Sequence, residues 1–363
     1  GTAPAPAAAV PVLTGLDVLR AGGFAALKGK RVGLVTNHTG VARDGATTID
    51  LVRAAKDVSL VRPFSPEHGI RGILDASVPS ATDEKTGLPI QSLYGETRRP
   101  TAAMLDGLDV VVIDLQDIGA RFYTYMTTTA YVMEEAAKRK LPVMVLDRPN
   151  PINGFQVEGP TIDRAALAFT SYFPMPVRHG MTLGELARLF NGENRIGADL
   201  TVVAMKNWSR DEWFDSAGLT WINPSPNMRN LNEATLYPGI GAIEGSNVSV
   251  GRGTDTPFGQ GGATGGDGVG RESGWVVGEQ NTVGSCGGEA VGRRQVRVAT
   301  RRAEVSSAGS ARRATLEGRS AWGGTRKKWS AAFTSTPAPS SPTRSLIVSD
   351  TICKTRAARS RCV

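Results

Sequence analysis

Asp109-Val110-Val111-Val112-Ile113 runs without a break into Asp114-Leu115-Gln116-Asp117. Four β-branched residues in a row, bounded by acids, read as a strand buried on both faces, the kind found in the middle of a parallel sheet. The same pattern recurs on either side. Arg31-Val32-Gly33-Leu34-Val35-Thr36 ends in Asn37-His38, and Val58 to Phe64 ends in Ser65-Pro66-Glu67-His68. Pro142-Val143-Met144-Val145-Leu146 ends in Asp147-Arg148. Apolar residues at helical spacing lie between these runs, over Gly15 to Leu27, Thr48 to Ala55, Thr101 to Leu105 and Ala130 to Arg139. Alternating strands and helices imply an α/β fold with a Rossmann-like, doubly wound, mainly parallel sheet. Residues 75–99 have few apolar repeats and read as an insertion over the site.

All four strands end in polar clusters, and parallel strands bring their C-terminal ends to one edge, where ligands of such folds bind. The densest cluster is Ser65-Pro66-Glu67-His68-Gly69-Ile70-Arg71-Gly72. Pro63 and Pro66 lack the N–H needed to continue a ladder, and Gly69 and Gly72 let the backbone turn sharply. An acid, an imidazole and a guanidinium thus stand within five residues of a strand exit. No G-x-G-x-x-G opens a helix and no P-loop occurs, so no nucleotide cofactor is expected. Metal spacing of the H-E-x-x-H kind is absent too, and no metal is expected.

Composition divides the chain. Residues 1–258 hold 25 Lys and Arg against 27 Asp and Glu, whereas residues 259–363 hold 17 against 7. The formal charge of +8 therefore belongs to the tail and does not point to nucleic acid as a partner of the rest. Cys286, Cys353 and Cys362 are all in the tail, so thiol chemistry is excluded from the first 258 residues. No run of 18 apolar residues suggests a membrane span. Residues 1–12 are an Ala/Pro-rich linker of the kind that follows a removed signal peptide, and an extracytoplasmic location is expected. Residues 13–154 form the Rossmann-like domain, and residues 155–258 a second, apparently incomplete α+β domain. Nothing in the sequence sets the oligomeric state.

In the second part, Thr182 to Phe190 reads as a helix with a capping box, and Leu200 to Ala204 as a strand. Trp208, Trp213 and Trp221 follow, then Asn223-Pro224-Ser225-Pro226-Asn227-Met228 and the glycine-rich stretch Leu236 to Phe258. Amides and aromatic faces suit a polyhydroxylated ligand, although tryptophans at such spacing equally serve a core.

These motifs, with Asp114-Leu115-Gln116-Asp117-Ile118-Gly119-Ala120-Arg121-Phe122-Tyr123-Thr124-Tyr125, Asp147-Arg148-Pro149-Asn150-Pro151 and Glu244-Gly245-Ser246-Asn247, resemble the NamZ-type exo-β-N-acetylmuramidases. The resemblance runs from about Gly15 to Phe258. It implies a two-domain glycosidase, often exported, that removes N-acetylmuramic acid from the non-reducing ends of peptidoglycan fragments. Muramic acid oligosaccharides are then the expected partner.

Hydrolysis of a glycosidic bond needs an acid for the leaving oxygen and a carboxylate, water or substrate group on the other face. Glu67 is the candidate acid, with His68 to hold or tune it. Asp114, Asp117 and Asp147 are candidates for the second carboxylate, Asp114 foremost, and the 2-acetamido group of the substrate is the alternative. Arg71, Arg121 and Arg148 are each a bidentate match for the lactyl carboxylate of muramic acid. Tyr123 is a candidate stabiliser of the oxocarbenium-like centre. Asn37, Gln116, Asn223, Asn227, Glu244, Asn247 and Arg252 complete the candidate substrate contacts. Two other classes share the cleft: a non-catalytic cell-wall sugar-binding protein, and a metal-dependent hydrolase using His38, His68 and the aspartates.

After Phe258 the chain turns Gly/Arg/Ser-rich and shows no helical or strand period. That change fits a reading-frame shift, with a basic nucleic-acid arm as the alternative. The tail is expected to be largely disordered and the truncated second domain to lower activity.

Overall fold

The computed structural model describes residues 10–72, 79–83, 85–246 and 248–264, together with five further strands up to Leu346. It divides into two compact units, residues 1–243 with 252–258, and residues 244–251 with 259–363.

The first unit is built on a seven-stranded sheet. Its strands are β1 (Arg31–Thr36), β2 (Ser59–Ser65), β3 (Ala81–Thr82), β4 (Pro89–Ser92), β5 (Val110–Asp114), β6 (Val143–Leu146) and β7 (Leu200–Val203), in the order β3-β4-β2-β1-β5-β6-β7. All neighbours are parallel except β3 with β4. β5 is buried at every position because it lies in the middle of the sheet. The chain moves outward in one direction from β1 to β2 and in the other from β5 to β6, so the order reverses between β1 and β5.

Helices cover both faces. Val32, Leu34, Val110, Val112, Met144 and Leu146 form one cluster with Leu16 and Leu19 of α1 (Gly15–Ala21) and Val52 of α2 (Thr48–Ala54). The alternate residues of the same strands face the other way, as the period of two requires. That face takes α4 (Tyr125–Ala137) and α5 (Leu183–Glu193), with Gly184 packed against Val202. The short α3 (Ala102–Leu105) precedes β5.

The sheet corrects two expectations. Residues 75–99 are more than an insertion: Phe64 and Ser65 pair with Gln91 and Ser92, which adds β4 to the sheet. Only Ile90 and Ser92 of β4 are buried, so its apolar signal is weak. The domain boundary at residue 154 is also not the one observed. Leu200–Val203 pairs along its whole length with β6, and α5 packs on the same sheet, so residues 183–203 complete the first layer. The stretch from Leu236 begins as the end of α6 (Leu231–Ile240) instead of as a loop.

Within the second unit, β8 (Gln260–Thr264), β9 (Glu272–Thr282), β10 (Arg293–Arg301) and β13 (Arg344–Leu346) form an antiparallel sheet in the order β13-β10-β9-β8. β11 (Thr315–Trp322) pairs with β12 (Thr325–Ala332). The expected lack of strand period differs from this backbone. Gln295-Val296-Arg297-Val298 does alternate with a period of two, but the arginine and glycine content hides it.

Candidate active site

Glu67 lies just past β2, where His68, Gly69 and Gly72 all adopt positive φ. The left-handed backbone reverses the chain within a few residues and holds Glu67 at the C-terminal edge of the sheet. Its Oε2 accepts a hydrogen bond from the hydroxyl of Thr124, the residue that precedes α4. Glu67 is half-buried.

The next residue, Tyr125, joins three segments. Asn37 Nδ2 donates to its hydroxyl at 2.8 Å, and the hydroxyl donates to the Pro224 carbonyl at 2.6 Å. Burial pushes this phenol well above its ordinary range, and the charges of Glu67 and Asp117 push it further. It therefore stays a neutral donor. Asn37 Oδ1 accepts from Thr39 N–H at 2.9 Å and Thr39 hydroxyl at 2.6 Å, so Asn37 supports Tyr125 with its oxygen fully used and one of its two Nδ2 hydrogens committed.

His38 ties the next loop to this edge. Its Nε2 lies 2.6 Å from the Asn223 carbonyl, so that nitrogen carries the proton, while Nδ1 is buried without a partner among the described residues. Burial lowers the pKa of His38, the neighbouring His68 lowers it further, and the carbonyl of Asn223 opposes them. A Cβ on Gly72 would fall 1.8 Å from His38 Cε1, so only glycine lets the loop close over the ring.

The three aspartates have different fates. Asp114 is fully buried and receives Arg148 through two bonds, Nε to Oδ1 at 2.6 Å and Nη2 to Oδ2 at 2.9 Å, with the Thr48 hydroxyl as a further donor. Such a carboxylate is spent on structure. Asp147 accepts from Gly184 N–H at 2.8 Å, Arg148 N–H at 3.0 Å and the Thr182 hydroxyl at 2.9 Å, and so anchors the start of α5. Asp117 accepts from Gly119 N–H at 2.7 Å and lies 3.7 Å from His179 Nε2, but its buried Oδ2 has no partner among the described residues. Asp117 is thus the one aspartate of the three with an oxygen left over.

Burial pushes Asp147 up to about 6, against the three donors that hold it down. Below pH 4 both folded and unfolded chains keep this proton and the group contributes nothing. Between about pH 4 and 6 only the folded chain keeps it, so stability falls as pH rises, by at most about 3 kcal/mol. Asp147→Asn is expected to cancel that fall in the difference between variant and wild-type urea midpoints from pH 4 to 7. Two parallel curves would contradict the assignment.

The arginines depart from expectation because protein groups already use them. Arg71 pairs with Asp83 at 2.8 Å. Arg121 is buried and donates to the carbonyls of Pro160 at 2.7 Å and Met175 at 2.5 Å, joining residues 160 and 175 to the start of α4. Arg148 holds Asp114 and the Val41 carbonyl. Tyr123 is buried beside Ser225 and Tyr125, and its hydroxyl is not in hydrogen-bonding geometry with either. Burial raises its pKa well above the ordinary value, so no phenolate forms there. Gln116 spends its amide on the carbonyls of Asp117 and Pro149, both at 2.8 Å.

Asn227 is buried, the side chain of Asn223 is exposed, and Arg252 lies 5.2 Å from the ring of Phe258. Glu244 belongs to the second unit, and Asn247 lies outside the described residues. The three tryptophans separate: Trp208 packs on Gly154, Trp213 meets Arg178, and Trp221 stands edge-on to Phe214. Among the described residues no three His, Cys, Asp or Glu are grouped closely enough to hold a metal.

Sequence reasoning missed Thr124, Tyr125 and His179 as members of the site. Thr124 and Tyr125 carry a readable signal, since a helix start facing a strand exit supplies donors to an acid. His179 follows an irregular stretch and has none.

The family model described as "Exo-beta-N-acetylmuramidase NamZ, N-terminal" matches residues 32–232. The chain belongs to the NamZ family. The corresponding C-terminal model matches residues 235–270, so the likeness continues past Phe258. A curated relative, "Peptidoglycan beta-N-acetylmuramidase NamZ" of Bacillus subtilis, is 49% identical over 249 residues, or 68% of this chain and 60% of the relative. The chain thus spans less than two thirds of that NamZ protein. Two crystal structures of DUF1343 family proteins from Bacteroides fragilis share the fold. One has a TM-score of 0.65 and 43% identity, covering 70% of this chain and 66% of its own. The other has a TM-score of 0.61 and 37% identity, covering 70% and 68%.

Proposed function

We propose that this NamZ-family chain is an exo-acting glycosidase that releases N-acetylmuramic acid from the non-reducing ends of peptidoglycan fragments. The observation that carries the reading is Glu67, held half-buried at the C-terminal sheet edge by the Thr124 hydroxyl. That bond engages Oε2 and leaves Oε1 to protonate the leaving oxygen. Asp117, through its unpartnered Oδ2, is the aspartate that remains for the opposite face of the sugar. The neutral Tyr125 and Asn37 keep the wall between them polar and uncharged. The activity named for the Bacillus subtilis relative supports the same substrate class. Work outside the cytoplasm, in cell-wall recycling, belongs to the same proposal, because peptidoglycan is the material named for that relative.

The test is hydrolysis of a chromogenic β-N-acetylmuramide beside the matching β-N-acetylglucosaminide. The muramide is expected to be cleaved with a kcat/KM at least about tenfold higher, the value of one well-made charged contact. Equal rates would remove muramic acid as the specific substrate. Binding without turnover would make the protein a sugar-binding one.

A further inference from the structure

Asp117 and His179 meet through two short segments. The backbone before α5 runs antiparallel to the loop that leaves β5. Arg121 N–H donates to the Val177 carbonyl at 2.7 Å, His179 N–H reaches the Gly119 carbonyl at 3.5 Å, and Ala120 is bridged to Arg178. A glycine makes the turn on each side. Gly119, at φ 86°, returns its N–H to Asp117 Oδ1 at 2.7 Å, and a Cβ there would fall 2.4 Å from Asn150 Oδ1. Gly180, at φ 63°, lets Met181 N–H return to His179 Nδ1 at 3.2 Å. Thr182, the N-cap of α5, follows at once, so the imidazole stands on a rigid base.

The bond from Met181 decides the tautomer. A backbone N–H can only donate, so Nδ1 has no proton and the neutral ring carries it on Nε2. His179 is therefore fixed as a donor and does not serve as a base. Its side chain is 0% exposed, that of Asp117 is 7% exposed, and Nε2 lies 3.7 Å from Oδ1. The neighbouring Arg178 directs its two Nη groups to Glu158 and the Ile152 carbonyl. Nε2 of His179 and Oδ2 of Asp117 are both buried without a hydrogen-bond partner among the described residues. Two such atoms on adjoining side chains are uncommon, because folds satisfy their buried polar groups. Hydrogen bonds that serve catalysis often stand long until substrate closes the site. A closure of less than about 1 Å brings this one to ordinary length.

We propose that His179 is a positioning residue for Asp117. Its Nε2–H closes on Oδ1 beside the Gly119 N–H, and two donors on one oxygen lock the plane of the carboxylate. Oδ2 is then the oxygen kept for the opposite face of the sugar. The inference rests on the glycosidase reading above, in which Asp117 is the second carboxylate.

Two variants of the full chain separate the two bonds of the ring. His179→Asn keeps an oxygen that can accept from Met181 N–H but is too short to donate to Asp117. His179→Gln places an amide N–H near the position of Nε2 and gives up the bond to Met181. With a chromogenic β-N-acetylmuramide, His179→Asn is expected to lower kcat about 10²-fold, the cost of a misplaced catalytic group, with KM within about twofold of wild type. His179→Gln should keep kcat within about fivefold, even where its melting temperature falls further. A His179→Asn chain within about threefold of wild-type kcat, or a His179→Gln chain no faster than His179→Asn, would overturn the proposal in favour of a purely structural ring. A second measurement needs no turnover. The chain has three histidines, so labelling their ring nitrogens gives three patterns by NMR. Asp117→Asn should move the His179 Nε2–H signal and leave that of His38 in place. A His179 signal that does not respond would also overturn the pairing. Failure of each reading is distinct. Turnover by wild type that is indifferent to His179→Asn sinks the positioning role and spares the glycosidase. No turnover of either glycoside by wild type, with a His179 signal that responds to Asp117→Asn, sinks the glycosidase and spares the pair.

Discussion

Glu67→Gln is expected to lower turnover of a β-N-acetylmuramide by about 10²–10⁴-fold, the usual worth of general acid–base help. Glutamine keeps the volume of the side chain and can still accept from the Thr124 hydroxyl through its amide oxygen. The fold should therefore stay intact, with a melting temperature close to wild type, and N-acetylmuramic acid should still bind. What disappears is the proton for the leaving oxygen. A variant within about threefold of wild type would take Glu67 out of the mechanism. A variant that loses activity together with its cooperative unfolding would mean that the Glu67–Thr124 bond is a structural tie.

The largest stability effect is expected at Arg148. Its guanidinium is 5% exposed and holds a carboxylate that is 0% exposed, with two bonds of 2.6 and 2.9 Å. Arg148→Met keeps much of the side-chain volume but leaves Asp114 buried with the Thr48 hydroxyl as its one side-chain donor. Breaking one half of a buried pair costs about 3–5 kcal/mol. Urea unfolding should show the midpoint fall accordingly with little change in slope. The double variant Asp114→Leu, Arg148→Met removes both charges and should regain most of the loss. If the single variant loses less than about 1 kcal/mol, water reaches Asp114 and the pair is not the tie between β5 and β6 that its geometry implies.

The strands of the first sheet were legible because a buried parallel strand leaves a local trace. Val110 to Ile113 and Val143 to Leu146 are continuous apolar runs, and each is buried at every position. α5 was legible for the same local reason: Thr182 and Glu185 form the capping box that its spacing announces. β4 was not legible, because it lies toward an edge, buries only Ile90 and Ser92, and owes its place to pairing with β2. β10 was hidden by composition, since arginines between valines read as a solvated tail until a partner strand is supplied.

The candidate site divides along the same line. Chain order alone places Asn37, Glu67, Asp114 and Asp147 at the ends of parallel strands, and so at one edge of the sheet. Residue type alone marks each of them as able to do chemistry. Whether a given side chain is free to do it depends on a second residue far away in the chain. Asp114 is spent because Arg148, 34 residues later, lies across from it. Arg71 meets Asp83, and Asn37 serves Tyr125, 88 residues on. Glu67 keeps one oxygen and Asp117 another, and no local pattern distinguishes them from Asp147. Hydrophobic periodicity is a property of neighbours in sequence, so it survives in a string of letters. Pairing of charges and hydrogen bonds is a property of neighbours in space, and it exists only once the strands have closed into a sheet.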